Sequence, residues 1–305
     1  MKYNTVVIGG GAAGLDAAAS CARLGLSVLL LEAMYTGGMA LKVKSVPDFP
    51  GFPDGISGEE LTDRMEKAAI AAGVRILHER VTDMELSEKT KSITTDRGAY
   101  EADTVIIACG ARVREMGLEN ERALTGLGIF HAVAEGKRAI EGKKAAVWGS
   151  GEEACNFALE LAEICIAVYL ICPEEHLNAG KRLIERIRNT PKIKLYENSL
   201  IAGVNEGMFL LESMTVVGKE TMEIDSMPVE AVFVSPELEP DSDVLLGHVR
   251  MTDEGAVIVN GDMATETEGV YAVGAVRSGS AKTIPDAVAD ARRAALAVNA
   301  YIIGN

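Results

Sequence analysis

Short β-branched apolar runs alternate with stretches of helical period from the start of the chain. Thr5-Val6-Val7-Ile8 has the length and composition of a strand buried on both faces of a parallel sheet. It stops at Gly9-Gly10-Gly11-Ala12-Ala13-Gly14. Ala and Leu then take most inward positions of a helix predicted from Ala12 to about Leu24. A second run, Ser27 to Leu31, predicts another strand and ends at Glu32, 18 residues beyond Gly14. The order returns about 140 residues later, with a strand at Lys144–Trp148 and a turn at Gly149-Ser150-Gly151-Glu152-Glu153-Ala154. A helix through about Ile166 and a strand at Ala167–Ile171 complete this second unit. Thr94–Tyr100 and Thr104–Ala108 read as further strands of the first unit, and Phe209–Val217 and Val229–Val234 as strands after the second. Gly269 to Gly274 is a last strand and loop. Lys282-Thr283-Ile284 then precedes Pro285, a good first residue for a helix at Asp286–Ile302.

Two strand–turn–helix–strand units in one chain predict an α/β protein with two Rossmann-like, three-layer (ββα) dinucleotide-binding domains. The last strand and helix close the first domain, so the second is inserted in it. The boundaries expected are 1–114 with 241–305 and 115–240. In the first turn Gly9 permits the tight bend, Gly11 lets backbone approach a pyrophosphate, and Gly14 brings the helix close to the strand. Ala12 and Ala13 open a helix whose N-terminus offers N–H groups and a positive dipole end to phosphate. Glu32 stands where a carboxylate accepts hydrogen bonds from ribose hydroxyls.

The charge balance narrows the partners. A net charge of −15 disfavours nucleic acid and anionic membrane surfaces, which would repel the chain. No apolar run has the length of a membrane span, and no basic-then-apolar leader precedes the first strand, so a cytoplasmic protein is expected. The five cysteines, Cys21, Cys109, Cys155, Cys165 and Cys172, are odd in number and contain no C-x-x-C pair. Free thiols are the expectation. Four histidines without ligand-like spacing imply no metal site.

Over nearly its whole length the sequence resembles the low-molecular-weight thioredoxin reductases, flavoproteins with an FAD domain and an inserted NADPH domain. The motifs that carry the resemblance are Gly37-Gly38-Met39 followed by Asp48-Phe49-Pro50-Gly51-Phe52-Pro53-Asp54-Gly55-Ile56, then Ile106-Ile107-Ala108-Cys109-Gly110-Ala111, Gly126-Leu127-Gly128-Ile129 and Gly269 to Gly274. The resemblance implies FAD as cofactor and a homodimer. It assigns Gly38, Met39, Val43, Asp48, Val81, Ala108, Cys109, Gly110, Gly274, Ala275, Lys282, Thr283 and Ile284 to the cofactor's surroundings, beside Gly9, Gly11, Ala12, Ala13, Gly14 and Glu32. The N-terminus of the last helix would then face the flavin's N1–O2 edge. Gly149, Gly151 and Ala154 would hold a nicotinamide nucleotide.

Four departures fall on residues that would do chemistry. Counting from Gly126 to Gly149 puts the family's two redox cysteines at Ala132 and Glu135, so reduction of thioredoxin by dithiol exchange is not expected. His131 and Glu135 in that stretch read either as proton donors to a flavin-bound substrate or as solvated loop residues. The family's His-Arg-Arg grip on a 2′-phosphate is replaced by Cys172-Pro173-Glu174, which disfavours NADPH and leaves NADH open if Glu174 reaches the ribose. Glu152 and Glu153 stand in the second phosphate turn, where they oppose a pyrophosphate or suit a helix start with no ligand. The family's last Gly-Asp is Gly274-Ala275 here. The following Ser280-Ala281-Lys282-Thr283-Ile284-Pro285-Asp286 is similar to the end of heterodisulfide reductase flavin subunits, which also lack the acid, and Lys282 would compensate by stabilising anionic reduced flavin. Two functions follow from this reading. One is an FAD-dependent oxidoreductase moving electrons between flavin and NADH or a redox carrier, with a partner protein or small molecule as acceptor and no disulfide of its own. The other is a flavin-carrying electron-transfer subunit of a larger complex with no nicotinamide activity.

Overall fold

A computed structural model describes residues 2–47, 49–235 and 237–304. The chain divides into two compact units, Met1–Arg112 with Glu239–Asn305, and Val113–Leu238. The first unit opens with β1 (Lys2–Ile8), α1 (Ala12–Arg23), β2 (Val28–Glu32), α2 (Gly58–Ala71), β3 (Arg75–His78), β4 (Val81–Glu85), β5 (Lys91–Thr95) and β6 (Ala99–Ile107). After β7 (Ala111–Val113) come α3 (Glu121–Leu124), β8 (Ile129–Phe130), α4 (Val133–Gly136), β9 (Lys144–Trp148), α5 (Glu152–Ile164) and β10 (Ala167–Ile171). The second unit continues with α6 (Lys181–Arg188), β11 (Ile193–Tyr196), β12 (Ser199–Glu206), β13 (Leu211–Gly218), β14 (Ile224–Met227) and β15 (Ala231–Val234). The chain returns through β16 (Leu238–Pro240), and β17 (Val270–Ala272) and α7 (Ile284–Gly304) complete the first unit.

In the first unit β3, β2, β1 and β6 form a parallel sheet. The nine-residue β6 carries two neighbours on one side. Its first half pairs antiparallel with β5, and its second half, Val105 to Ile107, pairs parallel with β17. Side chains of the central strands alternate between two cores, as a strand buried on both faces must. Val7, Leu30 and Ile106 pack with Leu15, Ala17 and Ala18 of α1 and Ala291 and Ala294 of α7. Val6, Ile8, Leu29, Leu31, Val105 and Ile107 pack on the opposite face with Met84, Leu86 and Ile93 of the β4–β5 side. The alanines let α1 and α7 approach closely, and each fully buried Leu or Ile stabilises the fold by about 1.5–3 kcal/mol.

The second unit repeats these layers. β11, β10, β9, β15 and β8 are parallel, and β12, β13 and β14 form an antiparallel sheet. Val147, Leu170 and Phe233 pack towards α5, while Ala146, Trp148, Tyr169, Ile171 and Val232 pack with Met214 and Val216 of β13. The fold is α/β with two Rossmann-like units of three layers each, as the sequence predicts. No helix among the described residues is long and apolar enough to cross a membrane.

Local differences from the sequence reading have physical causes. The stretch 94–100, expected as one strand, contains a tight hairpin turn in which Thr95 N donates to Gly98 O at 2.7 Å. The Thr95 hydroxyl accepts from Arg97 N and Gly98 N, which holds the turn in a segment without proline. α7 begins one residue before Pro285, because Thr283 Oγ1 accepts from Asp286 N and caps the helix. α5 ends at Ile164, where Cys165 turns extended and its thiol lies 3.7 Å from Ile140 O.

Candidate functional site

β1 ends at Ile8 and delivers the chain into Gly9, whose φ of +105° is left-handed. A Cβ on Gly9 would lie 2.4 Å from Ala108 O, and one on Gly14 would lie 1.9 Å from Gly9 O. Backbone therefore fills both places, which only glycine allows. A Cβ on Gly11 would meet nothing within 4 Å, so this glycine faces open space. Gly11 caps α1 without a side-chain bond, and no acid stands in the first turn at Ala12 and Ala13. The positive end of α1 is left for a ligand anion.

Glu32 ends β2 beside this turn. Its Oε2 accepts from Gly10 N at 2.7 Å and its Oε1 from Met34 N at 2.9 Å. An ionised carboxylate has roughly four lone-pair directions, so acceptor capacity remains for a ribose. Gly37 N donates to Gly10 O, and a Cβ on Gly38 would lie 3.3 Å from Gly11 Cα, so these two backbone segments are stacked. Gly274, with φ of +75°, abuts Ala13 of α1, whose Cβ would be 2.8 Å from one placed on Gly274. Ala108 is buried, Cys109 half-buried and Gly110 left-handed with φ of +77°. Gly9, Gly11, Ala12, Ala13, Gly14, Glu32, Gly38, Ala108 and Gly274 are thus brought together, with Cys109 and Gly110 adjoining Ala108.

The other positions assigned by resemblance lie as follows. Met39 is in a single 3-10 turn and Val43, exposed, leaves it. Val81 opens β4 and packs on the core of the β4–β5 face. Asp48 lies outside the described residues. Ala275 is half-buried after Gly274. Gly274 N donates to Asp290 Oδ2 of α7 at 3.1 Å, and Asp290 is also paired bidentately with Arg277. Lys282 is exposed, with a left-handed φ of +55° and its N–H donating to Ser280 Oγ. The start of α7 at Ile284 already holds the Thr283 cap, and Asp286 in its first turn accepts from Ala281 N at 2.9 Å.

The glycine turn of the second unit is built differently. Gly149 has φ of +147°, and a Cβ there would lie 2.7 Å from Ser235 Cβ. The backbone N–H groups of Ser150 and Gly151 both donate to Glu237 Oε1 at 2.6 Å. Ser150 Oγ lies 3.3 Å from each oxygen of the same carboxylate. Glu237 follows the end of β15, and no motif in the sequence marks it. Arg114 Nη1 is 3.9 Å from Glu237 and 2.9 Å from Glu174, with its guanidinium 5.5 Å from the Trp148 ring centre. Glu174 is therefore turned to Arg114. Glu152 and Glu153 are exposed at the start of α5, and Ala154 is buried.

His131 and Glu135 lie at the α4 turn. Glu135 Oε2 accepts from His131 N at 3.0 Å, one residue before the N-cap Ala132 of α4, and His131 Nδ1 is buried with no partner among the described residues. The thiols are all held protonated by burial. Desolvation pushes Cys21 and Cys109 up to about 12, and Cys155, Cys165 and Cys172 up to about 11. Among the described residues no group of three or more His, Cys, Asp or Glu is placed to hold a metal ion.

The first cradle fits the FAD implied by the sequence. Backbone replaces side chains at Gly9 and Gly14, Gly11 is open, and α1 carries no acid in its first turn. Gly9 to Gly14 would hold the pyrophosphate and Glu32 a ribose, while the flavin supplies the electron-accepting ring. In the second cradle the N–H groups of Ser150 and Gly151 already donate to a carboxylate of the chain, Glu237.

The model of the family described as pyridine nucleotide-disulphide oxidoreductase matches residues 3–295. The chain is 32% identical over 300 residues to a thioredoxin reductase of Treponema pallidum, covering 98% of this chain and 97% of that one. It is 30% identical over 309 residues to a thioredoxin reductase of Peptoclostridium acidaminophilum, covering 99% and 98%. The crystal structure of Lactococcus lactis thioredoxin reductase superposes with a TM-score of 0.71 at 25% identity, covering 99% of this chain and all of that one. Family membership implies FAD and a nicotinamide nucleotide, and the second of these meets an occupied cradle. This chain belongs to the pyridine nucleotide-disulphide oxidoreductases and is a flavin-dependent oxidoreductase of thioredoxin reductase-like fold.

Proposed function

We propose that the protein moves electrons between FAD and a redox partner without an active-site disulfide. One observation carries this reading: the positions matching the family's redox cysteines are Ala132 and Glu135, and Glu135 is committed to the backbone of His131. Dithiol exchange needs a thiolate and a resolving thiol. The five thiols present are held protonated by burial, and none has a partner at C-x-x-C spacing. The Glu135 carboxylate also accepts from the backbone of His131, just before α4. The donor and acceptor are best sought among carrier proteins or small molecules. A cytoplasmic homodimer is the accompanying expectation.

A second reading, a flavin-carrying relay subunit of a larger complex, is favoured by one feature. Ala275 replaces an acid after Gly274, and the 280–286 stretch that follows is similar to heterodisulfide reductase flavin subunits.

The test is anaerobic and follows flavin colour. The purified protein is mixed with NADH, NADPH and a reduced ferredoxin in turn, then with oxidised thioredoxin. Bound FAD that bleaches with a donor but does not pass electrons to thioredoxin is expected. Thioredoxin reduction at a rate typical of an enzyme would overturn the disulfide-free reading. Bleaching only within a copurifying complex would favour the relay subunit.

A further inference from the structure

We propose that Glu237 is an internal substitute for the dinucleotide pyrophosphate and excludes both NADH and NADPH from the second unit. The phosphate-binding power of such a turn comes from backbone N–H groups aimed at an anion from the start of a helix. Here the two N–H groups of Ser150 and Gly151 converge on one oxygen of Glu237, both at 2.6 Å, and the Ser150 hydroxyl adds to the same carboxylate. Bonds from N–H to an ionised carboxylate are among the stronger neutral-donor bonds and have the geometry of bonds to phosphate. The carboxylate is also close-packed. A Cβ on Gly149 or Gly151 would stand 3.1 or 3.2 Å from Glu237 Oε1.

An entering pyrophosphate would have to displace this carboxylate and remain beside it. Glu152 and Glu153 at the first turn of α5 add like charge to the same place. Arg114 spans Glu174 and Glu237 and lies over Trp148. The first unit supplies the contrast within the same chain. There Gly11 opens on empty space, α1 has no acid in its first turn, and the nearby Glu32 contacts Gly10 rather than the start of the helix. Both turns donate to a carboxylate from the middle residue, Gly10 to Glu32 and Ser150 to Glu237, and they differ at the glycine that opens the helix: Gly151 N is taken by Glu237, whereas Gly11 faces open space. The inference deepens the disulfide-free flavin reading and rests on it only for the consequence that electrons reach the flavin from something other than a nicotinamide.

The test is calorimetric titration of the flavin-loaded protein with NADH and NADPH, which reads binding without requiring flavin reduction. Wild type is expected to bind neither below millimolar concentration. Glu237→Gly, which frees the turn, is expected to bind NADH at least tenfold more tightly than wild type. Glu237→Gln, which keeps the shape and removes the charge, is expected to fall between them and carries the test if the glycine variant does not fold. Micromolar binding of either nucleotide by wild type would overturn the proposal. Equal affinities in wild type and both variants would overturn Glu237 as the determinant. A protein that purifies without flavin would sink the functional reading above, while the nucleotide titration would still decide the role of Glu237.

Discussion

The carboxylate of Glu32 is held 2.7 Å from the backbone nitrogen of Gly10, fixing the acid at the end of β2 against the turn that follows β1. This is a positioned acceptor rather than a mobile one, since Met34 N engages its other oxygen at 2.9 Å. Glu32→Ala removes both bonds and the acceptor a ribose would use. The expected outcome is FAD binding weakened by about tenfold to a hundredfold, since a bond to a charged group is worth about 1.5–3 kcal/mol. Gly14→Ala should act more severely, because the new methyl would stand 1.9 Å from Gly9 O and backbone would have to move. The ratio of flavin to protein absorbance after gel filtration, with a thermal melt for each variant, checks both. Full flavin content in both variants would mean that this cradle is not the flavin's.

The first turn was legible because its chemistry is local. Val6 to Ile8, the glycines, the alanine-rich α1 and Glu32 follow one another in sequence, and their roles follow from strand, turn and helix geometry. The three-layer fold was legible for the same reason, since buried parallel strands such as Val28 to Leu31 read as continuous apolar runs. Glu237 was not legible. It lies 86 residues from Gly151, and only the parallel pairing of β9 with β15 brings it to the turn. The Asp290 contact to Gly274 was hidden likewise, because α7 must first dock before an acid in its second turn reaches that loop. The 94–100 hairpin was missed because Thr95, a good strand residue, is also the one whose hydroxyl closes the turn.

The thiols make a prediction about pH. Burial raises Cys109 to about 12, against roughly 8.5 for a free thiol. A group whose folded value is raised contributes stability that is complete below the unfolded value and is lost as pH rises through the folded one. Stability should therefore be insensitive to these thiols up to about pH 8 and fall between there and about pH 12. At pH 8, alkylation of Cys109 by iodoacetamide should be at least about a hundredfold slower than that of free cysteine, because the thiolate is the nucleophile. Mass spectrometry of timed samples reads this directly. Rapid single-site labelling at Cys109 would show an accessible thiolate and reopen thiol chemistry.

Lys282 tests the flavin's electrostatics and the local strain separately. Its φ of +55° is costly for a residue with a Cβ, on the order of 1 kcal/mol. Lys282→Gly should relieve that strain and raise the melting temperature, whereas Lys282→Ala keeps it. Both remove the charge. If the ammonium stabilises anionic reduced flavin by about 1 kcal/mol, the two-electron potential should fall by about 20 mV in both variants, since 30 mV corresponds to about 1.4 kcal/mol. Spectroelectrochemistry of the two proteins checks this. An unchanged potential in both would remove Lys282 from the flavin's surroundings.

Asp290 should matter more for stability than any surface ion pair in the chain. It is 1% exposed and takes both Arg277 Nε and, at 2.8 Å, Arg277 Nη2. It also accepts from Gly274 N, at the place where that glycine touches Ala13 of α1. Among the described residues, Asp290→Ala leaves a guanidinium that is 11% exposed with only the longer Asp286 contact, at 3.3 Å, among its carboxylate pairings. Breaking a buried pair in this way costs about 3–5 kcal/mol. At about 2–4 °C per kcal/mol for a chain of this size, the melting temperature should fall by about 10 °C. The double variant Arg277→Leu with Asp290→Leu removes both members of the buried pair, so it should recover part of the loss, although Gly274 N then lacks its acceptor and Asp286 its Arg277 contact. The same measurements on the flavin-loaded protein distinguish a stability role from a binding one. A melting loss with normal flavin content would confine Asp290 to the fold. Flavin loss in the double variant, despite recovered stability, would show that the bond to Gly274 N holds the cofactor loop in shape.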